Sequence, residues 1–138
     1  HRLLWRVASP MRYALALDGA RIRQWDGETG KTTTLSMDGN PVFAAVAEQL
    51  NAWFGGRYGL LARDYDVDRQ AAAPATFTFV PKPTAPSAKM LESVTVVFRA
   101  DARYIASIRI ADRGGDVTTL TFTETEINVP LDPKAWEL

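Results

Sequence analysis

The chain contains no cysteine, and its single histidine is the terminal residue His1. The absence of cysteine excludes a disulfide framework, a thiolate metal site and a cysteine nucleophile. Without an internal histidine, Ser/His/Asp catalysis and histidine-based metal centres lack their usual material. We therefore exclude hydrolases of the familiar kind and expect no metal site.

A net charge and a long apolar run are also missing. Sixteen basic residues balance sixteen acidic ones, so no overall field draws the molecule onto nucleic acid. No apolar stretch is long enough for membrane insertion, so we expect a soluble protein. The first third is richer in basic residues, which we expect to form a solvated sheet face: Arg2, Arg6, Arg12, Arg21, Arg23 and Lys31.

Two short motifs resemble ligand-binding loops without meeting their requirements. Residues 27–32 look like the end of a phosphate-binding loop, but the first required glycine is replaced by Trp25 and a strand follows where a helix is needed. Asp64, Asp66 and Asp68 have the opening spacing of a calcium loop, yet Arg69 stands where glycine is needed. We interpret the first as a hairpin turn and the second as an acidic row on a strand.

The composition is that of one globular domain. The 138 residues are 46% hydrophobic and 23% charged, which suits a single domain, residues 1–138, with a sizeable apolar core. Alternation of apolar and polar residues predicts four strands, at Leu3–Val7, Tyr13–Leu17, Arg21–Trp25 and Lys31–Leu35. The dipeptide Asp18-Gly19 favours a tight hairpin between the second and third.

The residue pattern after the fourth strand predicts one amphipathic helix over residues 41–54. Asn40 is a good N-cap, Pro41 suits the first helical position, and Gly55-Gly56 can end a helix. Apolar side chains recur at three- and four-residue spacings. This predicted apolar face contains Phe43, Val46, Ala47, Leu50, Trp53 and Phe54.

Strand patterns return in the second half. Alternation predicts strands at residues 64–68 and 76–80, then a proline-rich loop with a helical turn near residues 88–91, and finally a three-stranded meander through residues 94–98, 104–110 and 120–122. The meander should have one wet face. That face is expected to carry Thr95, Arg99, Ser107, Arg109, Thr119, Thr121 and Thr123.

These patterns predict a mainly β (α+β) fold, in which a highly curved antiparallel sheet wraps one helix. Large apolar groups lie on or beside its inward faces: Trp5, Tyr13, Trp25, Phe43, Trp53, Phe54, Phe77, Phe79, Phe98 and Phe122. Core packing explains each of them singly. Together they allow a second interpretation, a sheet too large for one helix to fill, which leaves a cavity suited to an apolar ligand.

The order of motifs resembles the LolA-type outer-membrane lipoprotein carriers. The matching segments are Leu3-Leu4-Trp5-Arg6 before Pro10, Asp18-Gly19 before Ile22 and Trp25, Asn40-Pro41-Val42-Phe43, Thr78-Phe79-Val80-Pro81-Lys82, and Thr119-Leu120-Thr121-Phe122 leading to Asn128-Val129-Pro130-Leu131. Each segment is loose by itself, and the similarity rests on their succession along nearly the whole chain.

This resemblance implies an incomplete β-barrel in the periplasm of a Gram-negative bacterium. Such a carrier takes the acyl chains of a lipoprotein from an inner-membrane exporter to an outer-membrane acceptor, without a cofactor and with only transient membrane contact. By the resemblance, the cavity would be lined by Trp5, Tyr13, Phe43, Val46, Leu50, Phe54, Phe79, Val96, Phe98, Ile108 and Phe122. The cargo would be a lipoprotein or a related lipid.

The chain departs from the family pattern at its beginning. The family has a helix and further strands before the position of Leu3, including a basic residue that locks the lid, and Arg2 does not align with that residue. We expect this chain to lack that N-terminal part, which would leave a strand edge for a second chain. It would then be a monomer or a strand-exchanged dimer.

Two other functions remain open at this point. The same fold could be a sensor or interaction domain, with a filled core and a protein partner at the open edge. An enzyme acting on a lipid would need polar groups converging inside the cavity, where the predicted inward faces offer few besides Tyr13 and Tyr104.

Overall fold

The computed structural model describes residues 2–18, 21–36, 49, 52–53 and 55–137. Its strands form two antiparallel sheets, one of four strands and one of five, each in sequence order. The mainly β class predicted from sequence is confirmed. By its internal contacts the chain divides into two compact units, His1–Arg57 with Val129–Leu138, and Tyr58–Asn128.

The first sheet consists of β1 (Arg2–Val7), β2 (Tyr13–Asp18), β3 (Arg21–Asp26) and β4 (Thr32–Ser36). All four predicted strands are present, with ends shifted by one residue or so. Asp18 is the register partner of Arg21, as the predicted hairpin requires, although the turn residues 19–20 lie outside the described residues.

Between β3 and β4 the chain makes the predicted hairpin turn. The Asp26 carboxylate accepts hydrogen bonds from the backbone N–H groups of Glu28 (2.8 Å) and Thr29 (3.0 Å), which lowers its pKa. Gly30 closes the turn at φ +67°, the left-handed region that glycine enters readily. The interpretation of residues 27–32 as a turn is therefore confirmed.

The predicted helix 41–54 falls mostly outside the described residues. Within it, Gln49, Ala52 and Trp53 are helical, and Ala52 is buried. The carbonyl of Ala52 accepts a hydrogen bond from the Arg57 N–H at 3.0 Å.

The second sheet contains β5 (Tyr65–Ala72), β6 (Ala75–Pro81), β7 (Leu91–Phe98), β8 (Ile105–Asp112) and β9 (Val117–Thr121). All five predicted strands are present, and β5 is longer than predicted. Among the described residues this sheet has two free edges, β5 and β9, so it does not close on itself.

Three short helical segments lie outside the two sheets. A four-residue helix spans Tyr58–Leu61, and single 3₁₀ turns span Pro86–Lys89 and Pro133–Trp136. The turn predicted near residues 88–91 thus lies two residues earlier, because Pro86 has the backbone angle of a first helical position. The alternation patterns did not reveal the other two segments, which are only one turn long.

The close approach of Gly27 to neighbouring atoms gives a test of this fold. A Cβ at Gly27 would collide with Arg12, whose carbonyl oxygen would lie 2.8 Å away, and with the Trp25 ring at 2.9 Å. We expect Gly27→Ala to lower the free energy of unfolding by about 1–3 kcal/mol, as overpacking does. Urea denaturation followed by circular dichroism measures this change.

The matched control is Gly59→Ala. Among the described residues, nothing beyond the chain neighbours and the short helix's own backbone lies within 4 Å of a Cβ at Gly59, so alanine should leave stability unchanged or raise it slightly. Equal stability of the two variants would contradict the packing described for the turn.

Candidate functional site

The second sheet has one apolar face and one polar face. Register pairs Phe79 with Val94, Phe77 with Val96, and Val96 with Ile108, so these side chains lie on the same face. The apolar face of the second sheet comprises Val67, Phe77, Phe79, Val94, Val96, Phe98, Ile108, Ile110 and Leu120. It is a broad hydrocarbon surface on adjacent strands.

The polar face follows from the same register. Thr95, Arg109 and Thr119 are cross-strand partners in one row, and Thr78 and Thr95 share a hydroxyl hydrogen bond of 3.3 Å. Arg109 and Thr119 are exposed. The wet face predicted from sequence is confirmed for these residues.

Burial varies along the apolar face. Val96 is 0% exposed, and Phe79 and Ile108 are each 4% exposed, so the centre of the face is packed. Phe77, Phe98 and Phe122 are only half-buried. An apolar ligand could therefore contact the aromatic groups without disturbing the packed centre.

Aromatic rings organise one end of this face. Phe98 is packed edge to face against Phe77, with ring centroids 6.1 Å apart, and against Tyr58 of the short helix at 5.7 Å. Tyr65 packs in the same way on Phe79 at 6.3 Å. The short helix thus covers part of the apolar face, and its Leu61 is buried.

Lys82 fastens the chain just after that helix. Its ammonium group donates hydrogen bonds to the carbonyls of Ala62 (2.8 Å) and Arg63 (3.3 Å), and its backbone N–H donates to the Asp64 carbonyl at 2.9 Å. These carbonyls follow the last helical turn and have no helical partner of their own. Lys82 therefore fixes the segment that places Tyr58 on Phe98.

The first sheet also has an apolar face. Leu3, Trp5 and Val7 alternate with the residues of the opposite face, and their register partners are Leu17, Leu15 and Tyr13. Ile22 and Leu35 continue the same face on β3 and β4. Leu17 is buried, whereas Trp5 and Tyr13 are half-buried.

The structure distributes the predicted cavity residues over two units. Trp5 and Tyr13 lie together on the apolar face of the first sheet. Phe79, Val96, Phe98 and Ile108 share the apolar face of the second sheet, and Phe122 directly follows its last strand. The four helix residues Phe43, Val46, Leu50 and Phe54 lie outside the described residues. A role in ligand binding stays a prediction for all of them.

Several neighbours on the same faces were missed. Tyr58, Tyr65 and Phe77 contact predicted cavity residues through their rings. Alternation already assigns Phe77 to an inward face with Phe79, although only Phe79 is among the predicted cavity residues, and the alternation of Tyr65 with Val67 could have revealed Tyr65. Nothing in the sequence pattern distinguishes Tyr58, because its four-residue helix is too short to show a period.

The described residues offer little polar chemistry. None of the polar or charged residues among them is buried, and they include no group of three or more potential metal ligands. No helix in the described part of the chain is long and apolar enough to cross a bilayer. The chemical character of the two apolar faces is therefore that of a hydrocarbon surface.

Comparison with known protein families identifies the family of this chain. The chain matches, over residues 1–138, the family described as outer membrane lipoprotein carrier protein LolA. The chain belongs to the LolA family. No match was found among curated proteins.

Membership of the LolA family indicates a general role and agrees with the two-sheet architecture. LolA proteins are periplasmic carriers rather than enzymes, and their general role is to carry lipoproteins. The antiparallel sheets, neither of them closed within the described residues, agree with the incomplete barrel expected of a LolA-like fold. The resemblance noted from the succession of sequence motifs is confirmed.

The half-buried Tyr58 gives a prediction that depends on pH. Loss of hydration raises the pKa of the Tyr58 phenol above its ordinary value. This group therefore favours the folded state below the pKa of an unfolded tyrosine, and the effect is lost as the pH rises through the folded pKa. We expect Tyr58→Phe to resist alkaline unfolding better than the parent chain.

Urea unfolding of both chains at about pH 8 and about pH 11 measures this effect, since an ordinary tyrosine ionises near pH 10. Phenylalanine keeps the ring contact with Phe98, so the stability difference between variant and parent should shift in favour of the variant at the higher pH. An unchanged difference would show that Tyr58 is hydrated in the folded protein.

Proposed function

We propose that this chain binds acyl chains of lipoproteins or related lipids against its apolar faces and ferries them through the periplasm towards the outer membrane. The observation that carries the proposal is the apolar face of the second sheet, where half-buried Phe77 and Phe98 lie beside a packed centre. The residues proposed to contact the acyl chain are those predicted from the sequence for the cavity. An inner-membrane exporter would load the carrier and an outer-membrane acceptor would receive the cargo.

The physical chemistry suits binding followed by release. Burying one methylene group contributes roughly 0.8 kcal/mol, so even half an acyl chain provides useful affinity. A surface that is mainly hydrocarbon recognises chain length and bulk rather than one headgroup. Such a surface releases its cargo whenever a competing apolar environment is offered.

A second candidate is an interaction domain whose core is filled. The nearly complete burial of Phe79, Val96 and Ile108 favours it, because these side chains are already in contact with protein. In that case the chain would recognise a protein partner and would not take up lipid.

Ligand analysis separates the two candidates. Native mass spectrometry of the purified chain, with lipid extraction in parallel, should find acyl-bearing species or show uptake of an added fluorescent fatty acid. A chain that is reproducibly empty and that ignores acyl probes would contradict the carrier proposal and support the interaction domain.

Val67 and Val80 form a matched pair for mapping the site. Both are 44% exposed valines on neighbouring strands. Val67 pairs with Phe79 on the apolar face, whereas Val80 pairs with Asp66 on the opposite face. We expect Val67→Glu to weaken binding of the acyl probe about tenfold, because a charge replaces apolar contact area.

Val80→Glu is the control, since it places the same charge at the same exposure on the other face. Its dissociation constant for the probe, measured by fluorescence titration, should match that of the parent chain. Equal weakening by both substitutions would mean that the apolar face of the second sheet is not where the probe binds.

A further inference from the structure

The C-terminal segment lies on the second face of the first sheet. Arg2, Leu4 and Arg6 point to this face from β1, opposite Asp18, Ala16 and Ala14 of β2. The pairing continues to Arg21, Arg23 and Trp25 of β3. We call this surface the arginine face, because it carries four arginines and one aspartate.

Residues 132–137 form what we call the C-terminal clasp. Its 3₁₀ turn, Pro133–Trp136, is capped by the Asp132 carboxylate, which accepts a hydrogen bond from the Lys134 N–H at 2.9 Å. Inside the clasp, the Ala135 N–H donates to the Asp132 carbonyl at 2.9 Å and the Glu137 N–H to the Lys134 carbonyl at 3.1 Å. These two amides report directly on whether the turn is formed.

Three arginines hold the clasp. The Arg6 guanidinium donates to the carbonyls of Ala135 (2.9 Å) and Glu137 (2.8 Å). The Arg23 guanidinium donates to the Trp136 carbonyl at 2.8 Å, and the Arg2 guanidinium lies 4.3 Å from the centre of the Trp136 ring. Arg6 is exposed, as expected of a solvated face, but its guanidinium and that of half-buried Arg23 also hold the C-terminal segment, a contact that the sequence did not predict.

The hydrogen bonds from Arg6 and Arg23 to the clasp have backbone carbonyls as acceptors, and these are weaker acceptors than anionic groups. Arg6 and Arg23 bind neutral carbonyls and form no ion pair within the described part of the chain. Phosphate accepts guanidinium hydrogen bonds in bidentate, charge-assisted pairs that are markedly stronger. Arg2 and Arg6 are exposed, so a phosphate can reach them without unfolding the sheet.

The segment that would leave is suited to a membrane interface. Trp136 has the apolar body and polar N–H group that favour the headgroup region of a bilayer. Leu131 is 64% exposed and Val129 is 44% exposed just before the clasp. A released segment would therefore present three apolar side chains next to a cationic sheet face.

We propose that the arginine face is a phosphate-binding surface covered by the C-terminal clasp, and that the headgroups of an anionic lipid bilayer displace the clasp. Release of the clasp would then couple contact with a membrane to a structural change in the protein. This function is separate from the binding of acyl chains. It involves only the first sheet and the C-terminal segment, so it can be tested without any cargo.

The test uses the full chain with vesicles and hydrogen exchange. Vesicles of phosphatidylglycerol should bind the chain and accelerate exchange of the Ala135 and Glu137 amides, whereas vesicles of phosphatidylcholine should do neither. Inorganic phosphate at the same phosphate concentration should leave both amides protected. Raising the salt concentration should abolish binding, because the attraction is screened.

Two kinds of variant should move vesicle affinity in opposite directions. Arg6→Gln combined with Arg23→Gln should weaken binding about 25-fold, since each basic residue near an anionic surface contributes about fivefold. Ala135→Pro removes the Ala135 N–H hydrogen bond of the clasp while keeping the arginines, Trp136 and every charge, so binding should tighten severalfold. A clasp with a purely structural role would not produce this tightening.

Arg109→Gln is the charge-matched control, because Arg109 is exposed on the polar face of the second sheet. It should change vesicle affinity by less than about twofold, with thermal unfolding confirming that every variant is folded.

Four outcomes would overturn the proposal. These are no binding to phosphatidylglycerol vesicles, binding with both clasp amides still protected, equal deprotection by inorganic phosphate alone, or equal weakening by Arg109→Gln and the double arginine variant. None of them depends on acyl-probe binding, so failure here and failure of the carrier proposal can be told apart.

Discussion

The pleat of the antiparallel strand is the constraint on which the structure depends. Successive side chains point to opposite faces, so each strand contributes one set of residues to each face of its sheet. In the second sheet this separates Phe79, Val96 and Ile108 from Thr95 and Arg109. A slip of one residue in the register would exchange hydrocarbon for hydroxyl on every strand.

The same constraint explains why the strands could be predicted from the sequence. Period-two alternation is a local signal, and Thr76–Val80 and Val94–Phe98 display it within five residues. The faces were predictable too, since the wet residues Thr95 and Arg109 share one row. The short helix at Tyr58 could not be predicted in this way, because one turn contains no repeat for a pattern to show.

Long-range contacts were beyond such patterns. The hydrogen bonds from Arg6 to the clasp join residues 129 and 131 positions apart, and that from Arg23 spans 113. Alternation shows that these arginines share a face and says nothing of what covers it. The same limit applies to the predicted cavity residues. The pattern assigns Trp5 and Phe98 to apolar faces, but it does not reveal that packing leaves both side chains half-buried.

If both proposals hold, the two faces of the first sheet would separate cargo chemistry from membrane chemistry. Hydrocarbon burial is nearly insensitive to salt, whereas guanidinium contacts with phosphate are strongly screened. Trp5 and Tyr13 lie on one face of β1 and β2, and Arg6 lies on the other. Under these proposals, alternate residues of a single strand would respond to two different signals. The hydrogen bonds from Arg6 and Arg23 to the clasp have neutral carbonyl acceptors, and an anionic surface would offer these arginines charged acceptors, which form stronger hydrogen bonds.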